Sequence, residues 1–215
     1  MPENQSRQAV AAGMRALLAT RAAEVASGAT PVGWKVGINV VAFQEHFGLD
    51  GPVVGHLTDA TVLEPGRPID IGGWERPALE VEVAIRIGAN GGVASLAPAI
   101  ELVDLDLGFA DIGPILEGNI FHRAVLFGPE VTGLDIGGLA VGVDRDGARV
   151  AEGRLTELPA VTVEVVRSFL QGHGGRLAPG ERIIAGSLIA PLAIGAGDDL
   201  VVTYGPLGSL AVRFI

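Results

Sequence analysis

The sequence predicts a mostly β, α+β fold: one domain behind a helical N-terminal region. Three observations carry this expectation. Hydrophobic residues make up 48% of the chain but aromatic residues only 5%, so the core must be built from Ala, Val, Ile and Leu. The 32 glycines and 13 prolines supply many tight turns. Beyond Pro52, short Val/Ile/Leu runs alternate with Gly, Pro and Asp, the pattern of closely spaced strands. At 215 residues the chain can bury one substantial core and is too short for two full domains.

From about Gln5 to Ala26 the spacing of Ala, Leu, Met and Arg fits an amphipathic helix, stopped by Ser27-Gly28. "VGWKVGI" then reads as a strand, and "VVAFQEHFG" as a short helix ended by Gly48. Strand-like runs follow in "VVGHLT", "ALEVEVAIRIG", "AIELVDLDL" and "AVLFG". "LAVGVDRDGARVAEG" is a hairpin, with Asp146-Gly147 at its turn. A late helix over roughly Ala160 to Leu170 starts after Pro159 and ends in the glycines of "QGHGG". Strands "RIIAGSL", "DLVVTYG" and "LAVRFI" close the chain. "GANGGVAS" is a turn between strands, and nothing matches a phosphate-binding or dinucleotide-binding loop.

Composition excludes several functions. The net charge is -10, and the 15 Lys and Arg are scattered, so nucleic acid is a poor partner. Without cysteine there is no disulfide, no thiolate nucleophile and no Cys-ligated zinc or iron-sulfur centre. Arg15 and Arg21 interrupt the N-terminal apolar run, so no signal peptide is expected and the default location is cytoplasmic. Mean hydropathy is high at +0.43, yet charge, Gly or Pro breaks every long apolar run, so no membrane span is expected. The surplus apolar surface instead suggests a subunit interface, and hence a homo-oligomer.

The chemistry concentrates in "RPALEVEVAIRIG". Alternation along a strand puts Leu79, Val81, Val83, Ile85 and Ile87 on one face, and Ala78, Glu80, Glu82, Ala84 and Arg86 on the other. The two glutamates then lie roughly 7 Å apart at Cα and repel each other unless they face water or share a cation. Glu-x-Glu alone more often marks the solvated face of an antiparallel sheet. Glu101 changes the weighing, because it opens "ELVDLDL" on what reads as a neighbouring strand. Three carboxylates without nearby His or Cys describe a site for a hard cation, Mg²⁺ or Mn²⁺.

The ordered segments "GWKVGI", "GHLTD", "RPALEVEVAIRIG", "PAIELVDLDL", "LAPGERIIAGSLIAPLAI" and "GDDLVVTYGPLGSLAVRF" resemble the 2-keto-4-pentenoate hydratase and 4-oxalocrotonate decarboxylase branch of the fumarylacetoacetate hydrolase superfamily. The resemblance covers roughly Ala9 to Phe214. It implies a fumarylacetoacetate hydrolase-like mixed β-sheet roll, with residues 1–50 as a lead-in packed on a catalytic β domain over 51–215. It also implies metal ligands at Glu80, Glu82 and Glu101, catalytic roles for Lys35 and Asp59, and substrate-binding positions at Asn119, Gly186 and Ser187.

The implied activity is that of a divalent-metal-dependent hydratase. It adds water to a 2-hydroxy-2,4-dienoate of the 2-keto-4-pentenoate type, through a metal-stabilised enolate, in aromatic-compound catabolism. The alternatives are decarboxylation or C-C hydrolysis of a related 2-oxo acid, or a non-catalytic subunit, with a related decarboxylase subunit as possible partner. Two departures from the branch pattern stand out. After Lys35 the chain reads Gly37-Ile38-Asn39-Val40 in place of Gly-Leu-Thr-Ser, and Gly118-Asn119 stands where an Asp-Asn pair is usual.

Among the histidines His46, His56, His122 and His173 there is no metal-ligand spacing. His56 and His122 are second-rank acid-base candidates, whereas His173 sits at a glycine-rich helix end. Ser187 lies outside a nucleophile-elbow motif and has no evident base, so it is not expected to be a nucleophile.

Overall fold

The computed structural model describes residues 3–215. Its elements run α1 (Glu3–Ala26), β1 (Pro31–Gly37), α2 (Val41–Phe47), β2 (Val53–Thr58), β3 (Val62–Leu63), β4 (Pro77–Ile87), β5 (Val93–Asp104), α3 (Ile112–Glu117), β6 (His122–Phe127), β7 (Ala140–Arg145), β8 (Ala148–Arg154), α4 (Pro159–Gly172), β9 (Arg182–Ile184), β10 (Leu192–Ala193), β11 (Asp199–Thr203) and β12 (Ser209–Arg213). The mixed α+β class is therefore the one that the turn-rich, Val/Ile/Leu-rich sequence predicts.

The larger sheet has the strand order β2-β1-β9-β4-β5-β6-β3, with β10 pairing on β4. β4 and β5 form its spine, an antiparallel pair joined by a glycine turn in which Gly88 N–H donates to Gly92 O. Their register sets Glu80 directly opposite Glu101 and Glu82 opposite Ala99. The lead-in is woven into this sheet, because β1 lies inside it, antiparallel to β2 and parallel to β9. The smaller sheet follows the order β12-β11-β7-β8.

One face of β4 enters the main core as alternation predicts: Leu79, Val81, Val83, Ile85 and Ile87 are buried together with Val143, Leu200 and Val202 of the smaller sheet. Helix α4 presents Val163, Val166 and Leu170 to the same cluster, spaced by three and four residues so that they share one helix face. Each such side chain contributes about 1.5–3 kcal/mol by leaving water, and Leu170→Ala would cost roughly 2–5 kcal/mol.

The opposite face of β4 is also covered. Ala78 and Val103 pack with Val10, Met14 and Leu17 of α1 and with Ile112, Ile115 and Leu116 of α3. Gly13 makes this close helix packing possible, since a Cβ there would lie 2.7 Å from Cβ of Leu116. Further along, Ala84, Ala97 and Ala99 pack with Leu57, Val125 and Ile184. The glutamate-bearing face is therefore enclosed, and the glutamates on it need partners.

Candidate metal centre

Each of Glu80, Glu82 and Glu101 offers a carboxylate oxygen, and the three oxygens lie within 4.8 Å of one another. Glu82 and Glu101 are fully buried, while Glu80 is partly exposed to a cavity. Strand alternation supplies two of these groups and the β4–β5 register supplies the third.

The remaining contacts aim them. Gly186 N–H donates to Glu82 Oε2 at 2.8 Å, leaving Glu82 Oε1 buried without a partner. Glu101 Oε1 is paired with the Lys35 ammonium and lies 2.7 Å from His122 Nδ1, leaving Glu101 Oε2 buried and bare. His122 Nε2 is 2.9 Å from Thr61 Oγ1. With Glu101 ionised, Nδ1–H is the donor and the ring is fixed from both ends. Lys35 Nζ also donates to Ile120 O at 2.9 Å. Two bare, buried carboxylate oxygens facing a third carboxylate fit a hard, oxygen-preferring cation.

The electrostatics agree. Burial, reinforced by the charge of Glu101, pushes the Glu80 carboxyl up to about 7 against the pull of Lys35. Burial and then the charges of Glu101 and Glu80 push Glu82 well above the carboxylate range. Burial would raise Glu101 too, but Lys35 and His122 hold it below its usual value. Burial lowers His122 although Glu101 opposes this, so the ring is neutral. Lys35 thus favours the ionised form of Glu101, while burial favours the protonated forms of Glu80 and Glu82, a preference that a bound cation would reverse.

The centre opens into a cavity of about 530 Å³. Part of its wall comes from an unusual turn in which Asn119, Ile120 and Phe121 have φ of 55°, 54° and 63°. Three successive non-glycine residues in the left-handed region store strain, and here the turn delivers Ile120 O to Lys35 and Ile120 and Phe121 to the cavity.

The structure places Lys35 and the three glutamates together. Gly186 lies beside them, acting through its backbone on Glu82, and Ser187 lines the cavity while its hydroxyl donates to Ile189 O. Asn119 and Asp59 are placed otherwise. The Asn119 side-chain amide accepts from His56 N and donates to His56 O, so it clamps β2 to the strained turn and is not among the cavity-lining residues. Asp59 is exposed; its carboxylate accepts from Thr30 N–H at 2.8 Å and its own N–H donates to Thr30 O, tying the end of β2 to the residue before β1. His56 is buried on β2, where its ring is paired with Glu24. His122, only second-rank in the sequence, is the histidine that touches the triad; its signal was its position at the head of a family-like strand. Thr61 had no signal at all.

Comparison with solved structures places this geometry in context. A 4-oxalocrotonate decarboxylase from Pseudomonas putida G7, complexed with magnesium and adipate, superposes with a TM-score of 0.86 over 94% of this chain and 85% of that one, at 22% identity. A fumarylpyruvate hydrolase from Pseudomonas aeruginosa, in complex with Mn²⁺ and pyruvate, gives 0.64 over 85% and 88%, at 20% identity. The fold is that of the fumarylacetoacetate hydrolase family. Curated relatives with names from the decarboxylase-hydratase branch of that family match most of the chain. A 4-oxalocrotonate decarboxylase from Pseudomonas putida is 24% identical over 205 residues, 86% of this chain and 77% of the relative. A 2-oxo-hept-4-ene-1,7-dioate hydratase from Escherichia coli is 26% identical over 219 residues, 89% of this chain and 82% of the relative. No family model matches the chain. Among the described residues no helix is long and apolar enough to cross a membrane.

Proposed function

We propose that this chain is a divalent-metal-dependent enzyme of the fumarylacetoacetate hydrolase type that hydrates a 2-hydroxy-2,4-dienoate. The observation carrying this reading is the enclosed triad of Glu80, Glu82 and Glu101 beside the cavity, with two carboxylate oxygens lacking any protein partner. In the proposal these residues hold Mg²⁺ or Mn²⁺. The cation, when bound, supplies Lewis acidity that stabilises negative charge on a 2-oxo acid.

The chain's own residues prepare the site for that chemistry. Lys35 keeps Glu101 ionised and contributes the cationic side chain of the cavity lining, where it can meet a substrate carboxylate or carry a proton. Gly186 N–H and the His122 ring each engage one oxygen of a ligand and leave the other free. The apolar side chains nearest the triad would limit water at the reacting atoms. Small organic acids are the partners in this reading, and a cytoplasmic homo-oligomer is its assembly.

Decarboxylation is the second reading, supported by the P. putida decarboxylase relative. The deciding experiment uses EDTA-stripped protein with and without Mg²⁺ or Mn²⁺. Loss of the dienol absorbance of 2-hydroxypenta-2,4-dienoate, with a 4-hydroxy-2-oxo acid as product, is the expected result. CO₂ release from a 2-oxo diacid without turnover of the dienoate would move the assignment to decarboxylase. Metal binding with no turnover of either would favour a non-catalytic subunit.

A further inference from the structure

The cavity beside the triad is unequal in character along its length. Its charged lining side chains are Glu80 of the triad with Lys35 at one end and Glu152 at the solvent end, where the Glu152 side chain is 73% exposed. Lys35 already holds Glu101 and Ile120 O. Between the two ends the walls are mostly apolar, with Ile38, Val40, Phe43, Phe109, Phe121 and Ile189 among them, while the polar side chains there, Asn39 and Ser187, donate to Ser187 O and Ile189 O. The rings are organised: Phe43 stacks on Phe109 at 4.8 Å, and Phe109 leans on Phe121 at 5.2 Å. No arginine lines the cavity, and Lys35 is its only lysine. Arg149, which pairs with Glu152 at 3.5 Å, is not part of the lining.

A substrate whose head group sits at the triad must lay its tail along these walls. A second carboxylate on that tail would lose water against phenylalanine and isoleucine, or meet the like charge of Glu152, with no cation to replace its hydration. An alkyl or aryl tail would instead gain from leaving water. We infer that the site selects 2-oxo or 2-hydroxydienoic monocarboxylates with an apolar tail and discriminates against diacids, unlike the dioate in the name of the E. coli relative. This inference rests on the reading of the triad as a metal-dependent 2-oxo acid site.

Calorimetry on the full chain with Mg²⁺ separates the two claims. The probes are pyruvate, 2-oxohexanoate and 2-oxoadipate; the last two share head group and chain length and differ in ending in a methyl or a carboxylate. We expect metal-dependent binding of pyruvate, and 2-oxohexanoate bound at least tenfold more tightly than 2-oxoadipate, the order of discrimination that an apolar pocket delivers. Val40→Arg places a cation on an exposed wall position and should lower that ratio at least tenfold. If pyruvate binds but 2-oxoadipate binds as tightly as 2-oxohexanoate, the tail selectivity is wrong and the head-group site stands. If pyruvate shows no Mg²⁺-dependent binding, the metal-site reading fails and the selectivity falls with it.

Discussion

Lys35→Met tests the electrostatic logic of the centre most directly. The lysine side chain is 2% exposed and its ion-pair partner Glu101 is fully enclosed. Methionine keeps most of the volume and removes the charge, so little cavity cost is added. Breaking a buried pair by removing one partner costs roughly 3–5 kcal/mol, because the other charge is left uncompensated. In a domain of this size that loss lowers the melting temperature by on the order of 10 °C. Urea melts in EDTA measure it, provided that the slope of the transition matches wild type. Mg²⁺ should then stabilise the variant more than it stabilises wild type, since the cation becomes the only positive charge among three carboxylates. A loss below about 1 kcal/mol in EDTA would show that Glu101 does not depend on Lys35, and the account of the site would fail.

Other expectations follow from the same geometry. Because Glu80 and Glu82 have raised pKa values, the folded metal-free protein holds protons that the unfolded chain has already lost. Its stability should therefore fall as pH rises through about 7 in EDTA, a trend visible in thermal melts at pH 6 and 8. Cation loading expels those protons, so Mg²⁺ affinity should rise with pH by up to about tenfold per unit for each proton released, and titrations in buffers of different ionisation enthalpy will count them. Gly186→Ala puts a Cβ at a φ of +92°, 2.7 Å from Asn39 Nδ2, and so moves the N–H that orients Glu82; it should weaken Mg²⁺ binding at least tenfold for a stability loss of about 1 kcal/mol, read by calorimetry and melts. Far from the site, Glu130 receives Arg86, Arg182 and Ser95, and the bonds from Arg86 above all hold its carboxyl down to about 2. Its contribution is complete above the ordinary carboxylate range and lost as pH falls from about 5 to about 2. With nearly a third of the side chain exposed, that contribution is about 1 kcal/mol, and Glu130→Gln should flatten the acid limb of a stability-pH curve by this amount.

Much of this arrangement was legible in the sequence because it rests on short periods. The two-residue alternation placed Glu80 and Glu82 on one face, and the length of the turn brought Glu101 onto the adjacent strand. The Asp146-Gly147 hairpin and the helix after Pro159 have local chemistry that names them. What escaped was set by packing at long range. The glutamate-bearing face looked equally suited to solvent, and only the small side chains Ala84, Ala97 and Ala99 hinted that other elements close over it. Helix α3 has six residues containing Gly113 and Pro114, too few for a helical period; its one cue is Asp111, whose side chain accepts from Gly113 N–H as an N-cap. The left-handed run through Asn119, Ile120 and Phe121 has no signature, since β-branched and aromatic residues ordinarily avoid it. Asp59 and Asn119 both carry polar side chains that satisfy backbone groups, a use that a motif cannot distinguish from contact with a substrate.

The seam between β1 and β9 also governs when this protein can become itself. Lys35 pairs in register with Ile184, and Gly33 meets Arg182 so closely that a Cβ on it would lie 1.9 Å from the Arg182 carbonyl oxygen. As a ribosome releases the chain, the strand that carries Lys35 emerges 149 residues ahead of Ile184, its partner on β9, and Glu82 emerges 104 residues ahead of the N–H of Gly186. Such distant pairings are slow to form because loop-closure entropy must be overcome before any contact rewards it. Until those segments follow, the nascent chain carries a half-built cluster of acidic side chains and open strand edges, and the carboxylate centre cannot close before β9 and Gly186 are in place.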